Sequence, residues 1–403
     1  MNFIPIILGT DINAYGVARS IHEAYGIKSY AYGRKALRFT ANSKIVDVEI
    51  SEDFGTDQGF MRKLEQVKER FKGENKKLLL ISCSDGYTSL ISKHKSQLEK
   101  DFYFNYIDYE LQQQLENKKE FYRICEETGL DYPKTKIISQ DNKEDLKLDF
   151  DFPIGLKPND SIEYVDLHFE GKKKFYKIAD GAELKEVVDR IYAAGYKGDL
   201  IAQDFIPGDS SSMYVLNAYV NQAGDVKMMC LGKCLLDECL PYEIGNYNAL
   251  LTMGDMDIYR QYENFLKKIN YRGFANFDLK YDRRDGKYKV FEINIRQGRS
   301  SYYMTAGGCN FMKYPIEDLI LEEDKPPHYH KECGLWLFVD PSVVKKYASK
   351  ENQDLLSQYL KKGFTFTQWY KKDRSVRRYL DYIRRRVSTR KYYPNYEPAR
   401  QKD

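Results

Sequence analysis

Phe274-Ala275-Asn276-Phe277-Asp278-Leu279-Lys280-Tyr281-Asp282-Arg283-Arg284-Asp285-Gly286-Lys287-Tyr288-Lys289-Val290-Phe291-Glu292-Ile293-Asn294-Ile295-Arg296-Gln297-Gly298-Arg299-Ser300 reads as two alternating stretches around Asp285-Gly286, a two-residue hairpin signal. Side chains two apart on a strand share a face, so Asp278 joins Lys280 on the first strand and Glu292 joins Asn294 on the second. Hard oxygen donors on adjacent strands suit Mg²⁺, which takes one or two carboxylates and completes its shell with phosphate oxygens. Arg296 and Arg299 follow and could clamp charge that develops on a transferred phosphoryl group. A solvated hairpin with alternating charges is the plainer reading. Apolar Phe291, Ile293 and Ile295, with Gly298, Gly307 and Gly308 beyond, argue against it.

Working outward, Phe152-Pro153-Ile154-Gly155-Leu156-Lys157-Pro158 ends an apolar strand on a lysine. Lys118 opens a predicted helix over 118–128, where a cation opposes the helix dipole unless an anion is also present. Leu200 to Asp209 (LIAQDFIPGD) is a strand running into a Pro-Gly turn, with Gln203, Asp204 and Asp209 as polar groups able to read a base edge or ribose hydroxyls. Residues 1–110 alternate strand and helix: Phe3–Leu8, Lys28–Tyr32, Ile45–Ile50 and Lys77–Cys83 are the strands. That rhythm predicts an open, doubly wound parallel sheet whose ligands sit at the strand carboxyl ends, here Gly9 to Gly16 and Ser84 to Tyr87. Strands are further expected at Lys174–Ile178 and in the alternating stretch Ser212–Lys233, with a helix over Ala182–Ala194. Lys233 joins the catalytic candidates.

The chain has 403 residues, 42% hydrophobic and 14% aromatic, which excludes global disorder and gives a prior of two to three domains. No apolar run is long enough to span a bilayer, and the first residues have no basic leader. Seven scattered cysteines fit a reduced cytoplasm better than a disulfide framework. Cys230, Cys234 and Cys239 match no common zinc spacing, and His328 and His330 read as surface residues after Pro326-Pro327. The net charge of +4 divides unevenly: residues 341–403 carry +11 and the rest −7. In that tail Val376, Leu380, Ile383 and Val387 form one helical stripe beside Arg377, Arg378, Arg384 and Arg385. The stripe is expected to pack on the acidic body. The alternative is attraction to an anionic membrane or a nucleotide-linked precursor. With no recognised nucleic-acid module and an acidic body, nucleic acid ranks last.

In order and spacing, these pieces resemble the ATP-grasp family of carboxylate–amine ligases, over roughly residues 1–325. The resemblance is carried by Asn117-Lys118 with its helix, by FPIGLKP, by LIAQDFIPGD, and most specifically by the metal strand pair ending EINIR. It implies that Lys118 and Lys157 contact ATP phosphates, that Gln203, Phe205 and Asp209 line the adenosine pocket, and that Asp278, Glu292 and Asn294 bind Mg²⁺. Arg296 would face the reacting carboxylate. The implied architecture is an N-terminal α/β domain (1–112), a small lobe (113–200), a large lobe with the metal site (201–328) and a basic extension (329–403). Asn117 stands where Asp is common, Ile295 where Pro is usual, and Asn159-Asp160-Ser161-Ile162 lacks the glycines of a phosphate lid. LGTDINAYGVARS, KMMCLGKCLLDECLPYEIGNYNALLT and the basic tail resemble the D-aspartate ligase branch, which joins the β-carboxylate of D-aspartate to a lysine amine of a peptidoglycan precursor. Other amide-forming substrates, or a catalytically silent nucleotide-binding protein, share the outline; the complete metal set counts against silence. Homo-oligomers and a peripheral location at the inner membrane face are compatible with this reading.

Overall fold

A computed structural model describes residues 2–159, 164, 167–240 and 243–400, with side chains through 397. Positions 160–162 of the glycine-poor loop therefore lie outside the described residues. The chain divides into a smaller compact unit, Gln113–Gly208 with Leu279–Glu292, and a larger one made of the remaining segments.

The larger unit begins with β1 (Phe3–Leu8), β2 (Ser29–Gly33), β3 (Val46–Ile50), β4 (Lys77–Ser82) and β5 (Phe102–Tyr103). These form a sheet of order β3-β2-β1-β4-β5 with every pair parallel. β1 is central and all six of its residues are buried, as expected of a parallel strand covered on both faces. The helix Ile12–Tyr25 starts on Asp11, whose carboxylate accepts from Ala14 N, and stops at Gly26 with φ +70°.

The smaller unit holds β6 (Thr135–Ile138), β7 (Ile154–Pro158), β8 (Tyr176–Ile178) and β9 (Leu200–Asp204) in the antiparallel order β6-β9-β7-β8. Its core joins Ile138, Ile154, Leu156 and Ile178 to Leu184, Val188 and Ile191 of the helix Gly181–Ala193. The helix Lys118–Thr128 is capped by Asn117, whose Oδ1 accepts from Lys119 N and Glu120 N, and ends at Gly129. Asn thus fills the capping role open to Asp.

The remaining strands are β10 (Met213–Val220), β11 (Val226–Asp237), β12 (Tyr247–Met253), β13 (Gly273–Asp282), β14 (Lys287–Asn294), β15 (His328–Tyr329), β16 (Leu335–Leu337) and β17 (Phe364–Phe366). They follow the order β14-β13-β10-β11-β12-β16-β17, with β15 beside β11. The connection between β13 and β14 is four residues, Arg283–Gly286, and not the two-residue turn expected from Asp285-Gly286. Asp282 is the reason. Its buried carboxylate accepts from Arg284 N at 3.0 Å and from Lys289 Nζ at 2.7 Å, which ends the ladder before Arg284.

The C-terminal helix Val376–Arg400 overturns the expected burial of the tail stripe: Val376, Leu380 and Val387 are 77%, 55% and 42% exposed. The opposite face packs instead, through buried Arg378, Thr389 and Tyr393. Arg378 lies over the Tyr15 ring, and Arg386 and Arg390 reach the buried Asp340 carboxylate at 2.5 and 2.9 Å. Arginine stems can cover apolar surface while their heads find carboxylates, so a basic face became the packed one.

Candidate active site

Within the smaller unit, Lys157 stands at the end of β7 with Nζ 3.5 Å from Gln203 Oε1 and 6.0 Å from the Phe291 ring centroid. Burial pulls its pKa down to about 8, the Lys118 charge pulls the same way, and Glu292 opposes both. Lys157 at the end of β7, Lys118 at the start of its helix and Glu292 on β14 therefore form a cluster of two cations and one carboxylate that an anion would relieve. Gln203 is oriented by a donated bond to Thr135 Oγ1 at 3.0 Å. Tyr122 donates to the Phe291 carbonyl at 2.9 Å, tying the Lys118–Thr128 helix to β14 beside Glu292. Phe205 presents its ring to Lys177 and Lys280, whose ammonium groups lie 5.1 and 5.4 Å from its centroid, and Phe175 sits 6.5 Å away. The adjacent Asp204 is engaged by Arg284 Nη1 at 3.0 Å.

Within the larger unit, Asp278 accepts from the Tyr247 hydroxyl at 2.8 Å and from Asn294 Nδ2 at 3.3 Å. Asn294 Nδ2 also donates to Asn276 Oδ1 at 3.1 Å, while the buried Nδ2 of Asn276 has no hydrogen-bond partner. Asn276 lies one strand period before Asp278, the only sequence signal it had. Tyr247 had none, and burial with the Asp278 charge pushes its hydroxyl well up, keeping it a neutral donor.

Arg296 and Arg299 face the first sheet's side of this unit. Arg296 pairs with Asp85 at 2.7 Å, its side chain is 14% exposed, and its Nε is buried without a partner. Arg299 pairs with Glu243 at 3.4 Å and lies 4.7 Å from the Phe338 ring centroid; burial pulls its pKa down. Both act on Asp11, whose pKa is raised by burial against the lowering pull of the Ala14 amide and of Arg299 and Arg296. Asp11 lines a cavity of about 360 Å³ at the carboxyl ends of β1, β2 and β4, with Thr10, Arg34, Lys35, Ser84 and Tyr87. That is the location expected of a ligand on an open parallel sheet. Arg34 and Lys35 carried no motif and were missed.

Two predicted residues take local bonds. Asp209 accepts from Ser211 N at 2.8 Å, and Lys233 Nζ donates to Ser211 O at 2.9 Å and to the Tyr214 hydroxyl at 3.0 Å. Both therefore hold the turn 210–212 that leads into β10. A second cavity of about 390 Å³ lies against the C-terminal helix, where Arg38, Arg378, Arg384 and Arg385 surround Phe39 and Tyr382. Arg385 Nε and Nη2 are buried there without hydrogen-bond partners.

No protein-family model matches the chain. A D-aspartate ligase of Enterococcus faecium is 45% identical over 391 residues, covering 94% of this chain and 93% of that protein. Among solved structures, an L-amino acid ligase from Bacillus licheniformis aligns with a TM-score of 0.56 and 17% identity over 79% of this chain and 74% of that one. N5-carboxyaminoimidazole synthetase from Staphylococcus aureus, complexed with ADP, aligns at 0.60 and 12% over 87% and 85%. The biotin carboxylase domain of Hydrogenobacter thermophilus 2-oxoglutarate carboxylase, complexed with MgADP, aligns at 0.60 and 13% over 83% and 74%. At these identities the structural likenesses establish the fold.

Proposed function

Because the chain belongs to the D-aspartate ligase family of ATP-grasp carboxylate–amine ligases, we propose that it joins the β-carboxylate of D-aspartate to a lysine amine of a peptidoglycan precursor at the expense of ATP. The observation that carries this reading is the cluster of Lys157, Lys118, Glu292 and Gln203, two cations held together with Lys157 partly stripped of water. A triphosphate supplies the missing negative charge. Lys118 and Lys157 bind its phosphates, Gln203, Phe205 and Asp209 border the adenosine, and Asp278, Glu292 and Asn294 are the Mg²⁺ ligands. The donor set is all oxygen, which fits Mg²⁺, and the bonds of Asn294 to Asn276 and Asp278 are made by its Nδ2 and leave its Oδ1 for the ion. Bound there, Mg²⁺ would offset phosphate charge.

The acid binds with its charge on Arg296 and Arg299, in the cavity that Asp11, Arg34 and Lys35 line. Asp11 and the arginines together match an acidic amino acid such as aspartate, which brings one ammonium and two carboxylates. A carboxylate oxygen attacks the γ-phosphorus and ADP leaves; the acceptor amine then attacks the carbonyl carbon, phosphate leaves, and the amine gives up a proton. Arg296 steadies the charge on the transferring group, with Lys233 as a further cation. The arginine cavity against the C-terminal helix suits the phosphates of a nucleotide-linked acceptor, since Arg385 has donors to spare. Among the described residues no helix is long and apolar enough to cross a membrane. The exposed Val376, Leu380 and Val387 beside Arg377 and Arg384 support a second, peripheral contact with anionic lipid.

ADP formation measured against a panel of amino acids, with and without a soluble lysine-containing precursor, tests the assignment. D-aspartate should be preferred and Glu292→Ala should abolish turnover while the protein stays folded. Near-wild-type ligation by that variant would refute the metal assignment, and equal use of unrelated acids would refute the substrate.

A further inference from the structure

Cys309, His328 and His330 each offer one ligand atom, and the three atoms lie within 4.8 Å of one another, the one such group found among the described residues. The topology brings them together. Gly308, at φ +105°, turns the chain after the helix Tyr302–Ala306 and delivers Cys309. The short strand β15 runs parallel to β11, with Met228 opposite His328 and Met229 opposite Tyr329, and His330 N donates to Met229 O at 2.9 Å. Two residues apart, the two histidines share a face of β15. Cys230, next along β11 and fully buried, has its thiol against that of Cys309. All four residues belong to the larger unit.

Cys309 Sγ has the Tyr314 hydroxyl at 3.7 Å, but one buried histidine nitrogen of the cluster is unsatisfied. His330 is 2% exposed and its Nε2 has no hydrogen-bond partner. Its Nδ1 lies 3.4 Å from His328 Nε2 and 3.2 Å from the Glu332 carboxylate. A carboxylate behind a ligating histidine is the usual means of orienting such a ring.

We propose that Cys309, His328 and His330 form a binding site for a thiophilic divalent cation, Zn²⁺ by its chemistry. One sulfur and two imidazoles are ligands that zinc takes, with a water to complete the tetrahedron, and a hard cation such as Mg²⁺ does not compete for them. Bond lengths of about 2.0–2.3 Å place tetrahedral ligands roughly 3.3–3.8 Å apart, so side-chain rotation within the 4.8 Å cluster closes the site. The ion would fasten β15 to the turn at Gly308, a structural link separate from ATP chemistry. Sequence spacing hid it, because the sulfur ligand Cys309 lies well upstream of the pair His328 and His330, which read as surface residues although His330 is buried.

The full-length protein, reduced and stripped with chelator, is titrated with Zn²⁺ in excess Mg²⁺, and with Co²⁺ as a spectroscopic probe. The expected result is one equivalent of Zn²⁺ bound, with a rise in melting temperature. Co²⁺ should give tetrahedral d–d bands and a thiolate charge-transfer band. Cys309→Ser should remove that band. The exposed His328→Ala, which leaves the core untouched, should weaken Zn²⁺ binding at least tenfold while melting like wild type without metal. Failure to bind a stoichiometric equivalent would overturn the site, as would a charge-transfer band that survives Cys309→Ser.

Discussion

Lys157 concentrates the site's physics in one residue. Burial and the Lys118 charge lower its pKa to about 8, so in the absence of nucleotide its charge is lost as pH rises through that value. Phosphate binding needs the protonated form. The apparent KM for ATP should therefore climb between pH 7 and 9, and initial-rate measurements across that range check it. For folding the sign is opposite: a depressed lysine costs stability below about 8, and the cost fades towards the ordinary lysine pKa. Lys157→Met should consequently raise KM and slow turnover while leaving the nucleotide-free protein melting at or above the wild-type temperature. Unchanged ATP dependence would return Lys157 to an ordinary strand end. Asp282 is the converse case, a carboxylate held well below its usual range by Arg284 and Lys289, and its contribution is present at neutral pH and lost as pH falls. Breaking a buried pair costs 3–5 kcal/mol, and because Arg284 is 46% exposed we expect Asp282→Asn to cost about 2 kcal/mol in chemical denaturation.

Among elements, the C-terminal helix has two faces with separate predictions. Tyr393 is fully buried, donates to Asp237 O at 2.7 Å and accepts from Asn248 Nδ2 at 2.7 Å. Tyr393→Ala should destabilise the larger unit by about 3–5 kcal/mol in thermal or chemical unfolding, the range for losing a buried aromatic. The exposed stripe should behave otherwise. Val376→Glu with Leu380→Glu should leave melting unchanged and abolish salt-sensitive co-sedimentation with anionic vesicles; a lower melting temperature would mean that the stripe is packed after all. The spacing of Val376, Leu380, Ile383 and Val387 was legible as a helix stripe. Its orientation was not, because periodicity says which residues share a face and not which face meets a neighbour. The hairpin shows the same limit: Asp285-Gly286 marked the turn, but the buried carboxylate of Asp282 lengthened the loop.

At the scale of the molecule, removing everything after Phe366 should lower the melting temperature sharply or render the protein insoluble. The truncation strands the Asp340 carboxylate, 1% exposed, without Arg386 and Arg390. A soluble truncated protein with wild-type melting would show that the tail is dispensable to the fold. The alternation of strands and helices, the caps at Asn117 and Gly129, the run Phe3–Leu8 and the EINIR strand were determined by the sequence by itself. Each depends on residues a few positions apart, and with their order along the chain they suffice for the fold class and the ligase family. Only the tertiary structure decided that Asp11, Arg296 and Arg299 interact, that four arginines surround one cavity, and that Cys309 and two histidines converge. Those arrangements join residues from tens to hundreds of positions apart, and no local period records which distant side chain will supply the missing charge or ligand.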